Sequence, residues 1–144
     1  MKDHYVLHYA PDNASMVIRL ALEELQVPYD SVLVDRAQQG HKAPDYLRLN
    51  PNGLIPVLET PDGPLFETAA ILLWLGDTHG GLGAAPEHPG RIRLLKWLFF
   101  LSNTLHPALR MMFYSQDFIG DNPQDQAQLR RVQQDTIHGH LSIL

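Results

Sequence analysis

The chain contains no cysteine among its 144 residues. Disulfide bonds, cysteine-based metal sites and a thiol nucleophile supplied by the protein are therefore excluded. Long apolar runs are also absent, since no stretch approaches the length needed to cross a bilayer. The first ten residues, MKDHYVLHYA, lack the apolar segment of a secretory signal. We therefore expect a cytoplasmic protein with no membrane partner.

Positive charge is scarce as well. Lys and Arg together number 11 against 16 Asp and Glu, which gives a formal net charge of −5. The densest basic cluster is Arg91, Arg93 and Lys96, which is too small for a nucleic-acid surface. The histidines show no spacing typical of metal ligands, so no metal is expected. A hydrophobic content of 44% favours a packed core over disorder.

The first 78 residues predict a small α/β domain with a mixed sheet. Apolar runs bounded by turn signals predict strands over 5–9, 30–34, 54–59 and 64–66. Helical periodicity predicts helices over 15–26 and 69–77 and a helical turn over 45–49. The strand–helix–strand order favours parallel pairing of the first two strands. The turn sequence TPDG, residues 60–63, makes the last two strands a hairpin.

Pro56 lies inside the third predicted strand, in the stretch GLIPVLE. Proline has no N–H for a sheet ladder, so it is normally confined to edge strands, strand starts and bulges. Its presence beside aliphatic residues therefore requires a separate explanation.

The remainder of the chain predicts only helices. Residues 79–90 combine glycine and proline without periodicity, which is typical of a linker. Leu94, Leu98, Leu101 and Leu105 then form one apolar stripe at helical spacing, and Pro107 is expected to kink this helix after Leu105. A last helix is expected over 125–144, without a capping signal at its end.

These patterns together resemble the cytosolic glutathione transferases, most closely their bacterial beta class. The matching stretches are NPNGLIPVLE, FETAAILLWL and LLKWLFFLSNTLHP. The resemblance implies a thioredoxin-like domain over 1–78, with βαβ-ββα order and a cis-proline, then a linker over 79–90. It identifies residues 91–144 as the first part of an all-helical domain, expected to be incomplete because relatives carry further helices.

The activity implied by this resemblance is a detoxifying transfer of the glutathione thiolate to a small hydrophobic electrophile, or a related reduction, by a homodimer. The alternative is a non-catalytic binding or interaction protein on the same fold, or a truncated fragment. A third possibility, a thiol–disulfide oxidoreductase, is excluded on the premise that it needs a protein cysteine.

Four residues are implied in holding glutathione by its backbone and its γ-glutamyl end. Pro56 is expected to be cis, so that the N–H and C=O of Ile55 pair with the cysteinyl backbone in a strand-like manner. Thr68, at a helix N-terminus, would bind the carboxylate, and Glu67 would bind the ammonium group. The alternative for Thr68 is an N-cap residue alone.

Lys42, in the stretch GHKAPDYL, corresponds to a basic residue that binds the glycyl carboxylate in the family. The alternative is a solvated lysine. Leu54 departs from the family pattern, because many relatives carry lysine or arginine at this position.

The resemblance places the activation of the glutathione thiol in the first turn, where a donor aimed at sulfur stabilises the thiolate. Ala14 occupies the cysteine position of the beta class, so a mixed disulfide with the protein is excluded. Three donors are candidates, in the order Ser15, Tyr9 and Asn13. Each has a structural alternative: an N-cap for Ser15, a core residue for Tyr9 and a turn residue for Asn13.

His106 matches a histidine that faces the active-site cleft in the beta class. Met111, Met112, Phe113 and Tyr114 follow it and are candidates for lining an apolar second-substrate site. The alternative is that these residues pack against the first domain.

Overall fold

The computed structural model describes residues 4–144, so residues 1–3 of the expected first domain lie outside the described residues. The chain divides into two compact units, the first ending at Arg91 and the second comprising Ile92–Leu144. The segment 79–90, expected as a linker, lies in the first unit.

Over its described residues, 4–91, the first unit contains four strands and three α-helices that end within it. The strands are β1 (Tyr5–Tyr9), β2 (Tyr29–Leu33), β3 (Val57–Thr60) and β4 (Gly63–Phe66), and the helices are α1 (Ser15–Glu24), α2 (Pro44–Leu49) and α3 (Thr68–His79). A single 3₁₀ turn at Gly40–Lys42 precedes α2. The strand order in the sheet is β2-β1-β3-β4. β1 and β2 pair in parallel, whereas β3 runs antiparallel to both β1 and β4. This confirms the predicted mixed sheet and the thioredoxin-like fold.

Both faces of the sheet are covered, because successive residues of a strand point to opposite sides. Leu58 belongs to the larger apolar cluster, formed with residues of β1, α1 and α3. Its neighbour Val57 belongs to a second cluster, with Val34 and Tyr46. The side chains of Val57 and Leu58 are both fully buried. β3 therefore packs against α1 and α3 through one face of the sheet and against α2 through the other.

The Ile55–Pro56 peptide bond is cis, as predicted. The third strand begins at Val57 and not at residue 54, so the predicted strand was too long. Pro56 cannot donate to a ladder, and the chain therefore joins the sheet only after it.

The second unit is helical, as predicted. It comprises α4 (Arg91–Phe100, whose first residue falls in the first unit), a π-helical segment (Leu101–Leu105), α5 (His106–Phe113), α6 (Gln116–Ile119) and α7 (Pro123–Leu141). The interruption expected after Leu105 takes the form of this π-helical segment, immediately before the residue pair His106-Pro107. Pro107 lacks the N–H that a regular α-helix would use there.

The last helix begins earlier and ends earlier than predicted. The Asn122 side chain accepts a hydrogen bond from the Gln124 N–H and caps α7, which ends at Leu141. The core of this unit contains Leu105, Ala108 and Ile137. In the predicted leucine stripe, Leu105 is buried whereas Leu101 is 41% exposed. Over residues 4–144, no helix combines the length and apolar character required to span a bilayer.

Candidate functional site

Three loops of the first unit meet at one edge of the sheet. His8, Val57 and Phe66 lie in one row across β1, β3 and β4, because His8 pairs with Val57 and Val57 pairs with Phe66. β1 and β4 leave the sheet just beyond this row, and β3 enters it there. The β1–α1 turn, the Ile55–Pro56 peptide and Glu67 therefore all lie at this edge, which we call the site edge.

The loop that follows β2 lies beside the β1–α1 turn at the same edge. The Val34 N–H donates to the Tyr9 carbonyl oxygen at 2.8 Å. The Arg36 guanidinium donates to the Pro11 carbonyl oxygen at 3.2 Å. This loop leads to Lys42, the last residue of the 3₁₀ turn, whose side chain is exposed. Lys42 is thus carried by a loop that is anchored to the site edge.

The loop before Pro56, residues 51–55, is held by two side-chain donors from α2 and its C-cap; we call it the Ile55 loop. The Tyr46 hydroxyl and the Asn50 side-chain nitrogen both donate to the Leu54 carbonyl oxygen, at 2.7 Å and 2.8 Å. Among the described residues, no hydrogen bond involves the Ile55 N–H or carbonyl oxygen. The Ile55 peptide groups are therefore free to pair with a ligand.

Tyr46 is buried between α2 and the sheet. Burial raises the pKa of its hydroxyl to about 12, so the hydroxyl keeps its proton throughout the physiological range. The phenol is thus a permanent donor to the Leu54 carbonyl.

Glu67 adopts a conformation that few residues other than glycine adopt, with φ 71° and ψ 108°. It occupies the N-cap position of α3, and its side chain makes no capping hydrogen bond. Thr68 is the first helical residue, so the alternative that Thr68 is the N-cap is wrong. The first hydrogen bond of the helix runs from the Ile71 N–H to the Glu67 carbonyl oxygen, which leaves the preceding N–H groups of the first turn without intrahelical partners.

The β1–α1 turn is closed by Ser15 and Asn13. The Ser15 N–H and hydroxyl lie 2.8 Å and 2.5 Å from the Asn13 side-chain oxygen. The same hydroxyl lies 3.0 Å from the Ala10 carbonyl oxygen and accepts from the Ala10 N–H at 3.3 Å. Since Ser15 is 2% exposed, its hydroxyl proton serves the turn itself. An amide atom that accepts from an N–H must be oxygen, so the Asn13 nitrogen faces away from Ser15.

The other two candidates for catalysis lie in different surroundings. Tyr9 is half-buried and packs against the larger apolar cluster of the first unit. His106 is the first residue of α5 in the second unit, and its side chain is exposed.

His41 and Gly53 were not singled out from the sequence. The His41 side-chain Nδ1 is buried without a hydrogen-bond partner among the described residues. The His41 carbonyl oxygen lies so close to Gly53 that an added Cβ would approach it to 2.9 Å, and Gly53 has a φ of 61°. The sequence signal was present in the pair Asn52-Gly53, a typical turn dipeptide.

The site edge offers the groups that an extended peptide requires. It presents an unpaired backbone N–H and C=O at Ile55, a helix N-terminus for an anion, and the Glu67 carboxylate for a cation. Lys42 adds a positive charge. These groups can pair with an extended ligand that carries both negative and positive charge. Within residues 4–144, no group of three or more His, Cys, Asp or Glu side chains is arranged to hold a metal ion.

Comparison with known proteins places the first unit among similar sequences. Residues 14–78 match the family described as "Glutathione S-transferase, N-terminal domain". The chain is 32% identical over 131 residues to glutathione S-transferase GST-4.5 of Xanthomonas campestris pv. campestris, which covers 90% of this chain and 61% of that protein.

Two further relatives are named for activities other than glutathione transfer. The chain is 34% identical over 113 residues to the maleylacetoacetate isomerase of Rhizobium meliloti, covering 77% of this chain and 53% of the relative. It is 36% identical over 110 residues to the disulfide-bond oxidoreductase YfcG of Escherichia coli, covering 72% and 51%. The chain thus spans between about half and three fifths of the length of these curated relatives.

A solved structure gives the same likeness. A glutathione transferase homologue from Sulfitobacter, crystallised with bound glutathione, superposes with a TM-score of 0.84 at 25% sequence identity. The superposition covers 99% of this chain and 68% of that chain. Residues 14–78 of the first unit thus match the N-terminal domain family of the glutathione S-transferases, and the chain is similar to proteins of that name.

Proposed function

We propose that this chain, whose residues 14–78 match the glutathione S-transferase N-terminal domain family, binds glutathione at the site edge. It would transfer the glutathione thiolate to a small hydrophobic electrophile or use it in a related reduction. The observation that carries this proposal is that the unpaired Ile55 peptide, the N-terminus of α3 and the β1–α1 turn all lie at the site edge, just beyond the row formed by His8, Val57 and Phe66.

Glutathione would lie along the site edge in an extended conformation. The Ile55 N–H and C=O, presented beside Pro56, would pair with its cysteinyl backbone. The γ-glutamyl carboxylate would bind the first turn of α3 and the Thr68 hydroxyl, where the positive end of the helix dipole favours an anion. Glu67 would receive the ammonium group. Lys42 would reach the glycyl carboxylate from the loop after β2.

Asn13 is the donor that we propose for the thiol. Its side-chain oxygen is held by the Ser15 N–H and hydroxyl, so its nitrogen is not the atom that contacts Ser15. A donor fixed in this way stabilises a developing thiolate without reorganisation. Ser15, first in the order from sequence, would act through Asn13 as a positioning residue. Tyr9 is the competing donor, and Tyr9→Phe tests it separately.

The wider features of the proposal come from the family likeness. They are a place in the bacterial beta class, a role in detoxification, a cytoplasmic location, a homodimer, and a role for His106 toward the electrophile. The chain spans between about half and three fifths of the length of its curated relatives. These features are therefore proposed from full-length proteins of the family.

A second candidate reaction is the reduction of disulfides by glutathione. It is favoured by the 36% identity to a protein named as a disulfide-bond oxidoreductase. The absence of cysteine excludes a reaction through a protein thiol, but it does not exclude one in which glutathione supplies the thiols. The exclusion of this class from the sequence was therefore too broad.

The experiment that tests the proposal is a rate measurement with reduced glutathione and either an activated aryl halide or a low-molecular-weight disulfide. We expect a rate that saturates with glutathione and depends on Asn13. Saturable binding without turnover of either substrate would support the non-catalytic alternative. A folded chain that neither binds nor reacts would contradict the proposal.

A further inference from the structure

We infer that Tyr46 and Asn50 are positioning residues that aim the Ile55 N–H at the bound peptide. This inference rests on the proposed function, because it assigns the support of the same binding groups. Neither residue was implicated by the sequence. Both reach the Ile55 loop from α2, Tyr46 from within the helix and Asn50 as its C-cap residue.

The geometry follows from the planarity of the peptide bond. The Leu54 carbonyl and the Ile55 N–H belong to one peptide unit, and in a trans unit they point in opposite directions. The Tyr46 hydroxyl and the Asn50 nitrogen bind that carbonyl at 2.7 Å and 2.8 Å, which occupies both of its lone pairs. Fixing the carbonyl toward the interior therefore fixes the N–H toward the site.

Both donors are held before any ligand arrives. Tyr46 is 6% exposed and Asn50 is 2% exposed. The Asn50 side-chain oxygen accepts from the Asn52 N–H at 3.0 Å, and the Gly53 N–H donates to the Asn50 carbonyl oxygen at 2.9 Å. Asn50 thus ties the turn before Leu54 as well as the Leu54 carbonyl itself.

The Tyr46 ring is supported from the sheet. His8 packs edge-on against it, with ring centroids 5.9 Å apart, and the His8 Nε2 lies 2.7 Å from the Glu59 carboxylate. The Ile55 side chain packs against the same apolar cluster as Tyr46. The side chain of Ile55 is therefore anchored inward while its N–H is directed outward.

The test uses Tyr46→Phe, which removes one donor and keeps the ring. We expect the dissociation constant for glutathione to rise by about three- to tenfold, the effect of one neutral hydrogen bond. We also expect faster amide hydrogen exchange at Ile55 in the free protein. Asn50→Asp keeps the acceptor for Asn52 and removes the second donor, so it should act in the same direction.

The matched control is Tyr5→Phe, since Tyr5 is another buried tyrosine of the first unit, with its hydroxyl 3.1 Å from the His79 Nε2. A general loss of stability would affect both tyrosine variants. A specific readout is the glutathione analogue with a thiocarbonyl at the cysteinyl residue, because its sulfur is a weaker acceptor for the Ile55 N–H. Its loss of affinity relative to glutathione should be smaller in Tyr46→Phe than in the wild type.

The outcomes separate the two proposals. A folded wild type that does not bind glutathione would overturn the proposed function. If the wild type binds, an unchanged affinity and unchanged Ile55 exchange in Tyr46→Phe would overturn the positioning role alone. Equal thiocarbonyl losses in the wild type and Tyr46→Phe would also overturn it.

Discussion

The Ser15 hydroxyl lies 2.5 Å from the Asn13 side-chain oxygen, and this contact orients the Asn13 amide within the β1–α1 turn. The serine is buried and its proton serves the turn, whereas the asparagine nitrogen faces away from it. The sequence offered both residues as donors to the thiol; the Ser15 hydroxyl is engaged within the turn, and Asn13 is the donor that we propose.

The first prediction follows from this arrangement. Asn13→Asp keeps an oxygen for Ser15 and replaces the amide donor by a negative charge, so it should raise the pKa of bound glutathione thiol. At neutral pH we expect a conjugation rate reduced about tenfold or more. The pH profile of the rate measures this shift directly. Asn122→Asp, which preserves the cap of α7, is the matched control and should leave the profile unchanged.

Gly53 provides a prediction about the Ile55 loop. At its φ of 61°, an added Cβ would lie 2.9 Å from the His41 carbonyl oxygen, so the backbone would have to move. Gly53→Ala should lower the free energy of unfolding by about 2 kcal/mol and weaken glutathione binding. Urea denaturation measures the first effect. Gly139→Ala lies inside α7 with nothing within 4 Å of the added Cβ, so it should be neutral or stabilising. A tolerated Gly53→Ala would contradict the described loop geometry.

Tyr46 should make the protein sensitive to alkali. Burial raises the pKa of its hydroxyl to about 12, above the unfolded value of about 10. The folded state then holds a proton that the unfolded state releases, so the contribution of Tyr46 is complete below about pH 10 and is lost as pH rises toward 12. Unfolding midpoints in this range should fall more steeply for the wild type than for Tyr46→Phe. Parallel pH dependences of the two proteins would refute this.

Asp77 should contribute stability that acid removes. Hydrogen bonds from the Arg91 guanidinium, at 2.6 Å and 2.8 Å, hold the pKa of Asp77 below its ordinary value. This contribution is present above the unfolded pKa and is lost as pH falls through the lowered folded pKa. Asp77→Asn should therefore melt below the wild type near neutral pH, and the two melting temperatures should converge in strong acid.

The control for this pair is Asp45→Asn. Asp45 lies 2.5 Å from Arg48, but both side chains are largely exposed, 88% and 72%. Exposed ion pairs of this kind stabilise proteins little, so we expect no measurable gap in melting temperature. A larger loss of melting temperature at Asp45 than at Asp77 would contradict this ranking of the two ion pairs.

Local signals were sufficient to predict most of the fold. Periodicity located the helices and strands of the first unit, because the apolar residues that define them, such as Leu58 and Ile71, are buried as their spacing requires. The predicted first and last residues of the helices and strands were less accurate than their number and order. Pro56 delayed the start of β3, and Asn122 with Pro123 started α7 before the predicted residue, because caps and proline override periodicity at the ends.

The supporting residues of the site could not be predicted in the same way. In the sequence, Tyr46 and Asn50 look like ordinary residues of a short helix and its end. The role that we infer for them depends on hydrogen bonds to the Leu54 carbonyl oxygen, which form only in the folded loop. The N-cap alternative for Thr68 failed for a related reason. Glu67 takes the N-cap position in a positive-φ conformation that propensity disfavours.

The most direct test of the proposed site is a calorimetric titration of the chain with reduced glutathione, beside the double variant Glu67→Ala, Thr68→Ala. We predict saturable binding at micromolar to millimolar concentrations, weakened at least about tenfold in that variant because the anion and ammonium contacts are lost together. The control variant Glu24→Ala, Thr78→Ala changes the same residue types at exposed positions of the first unit and should bind as the wild type does. A folded wild type that shows no binding, or equal binding by the wild type and the Glu67, Thr68 variant, would contradict the proposed site.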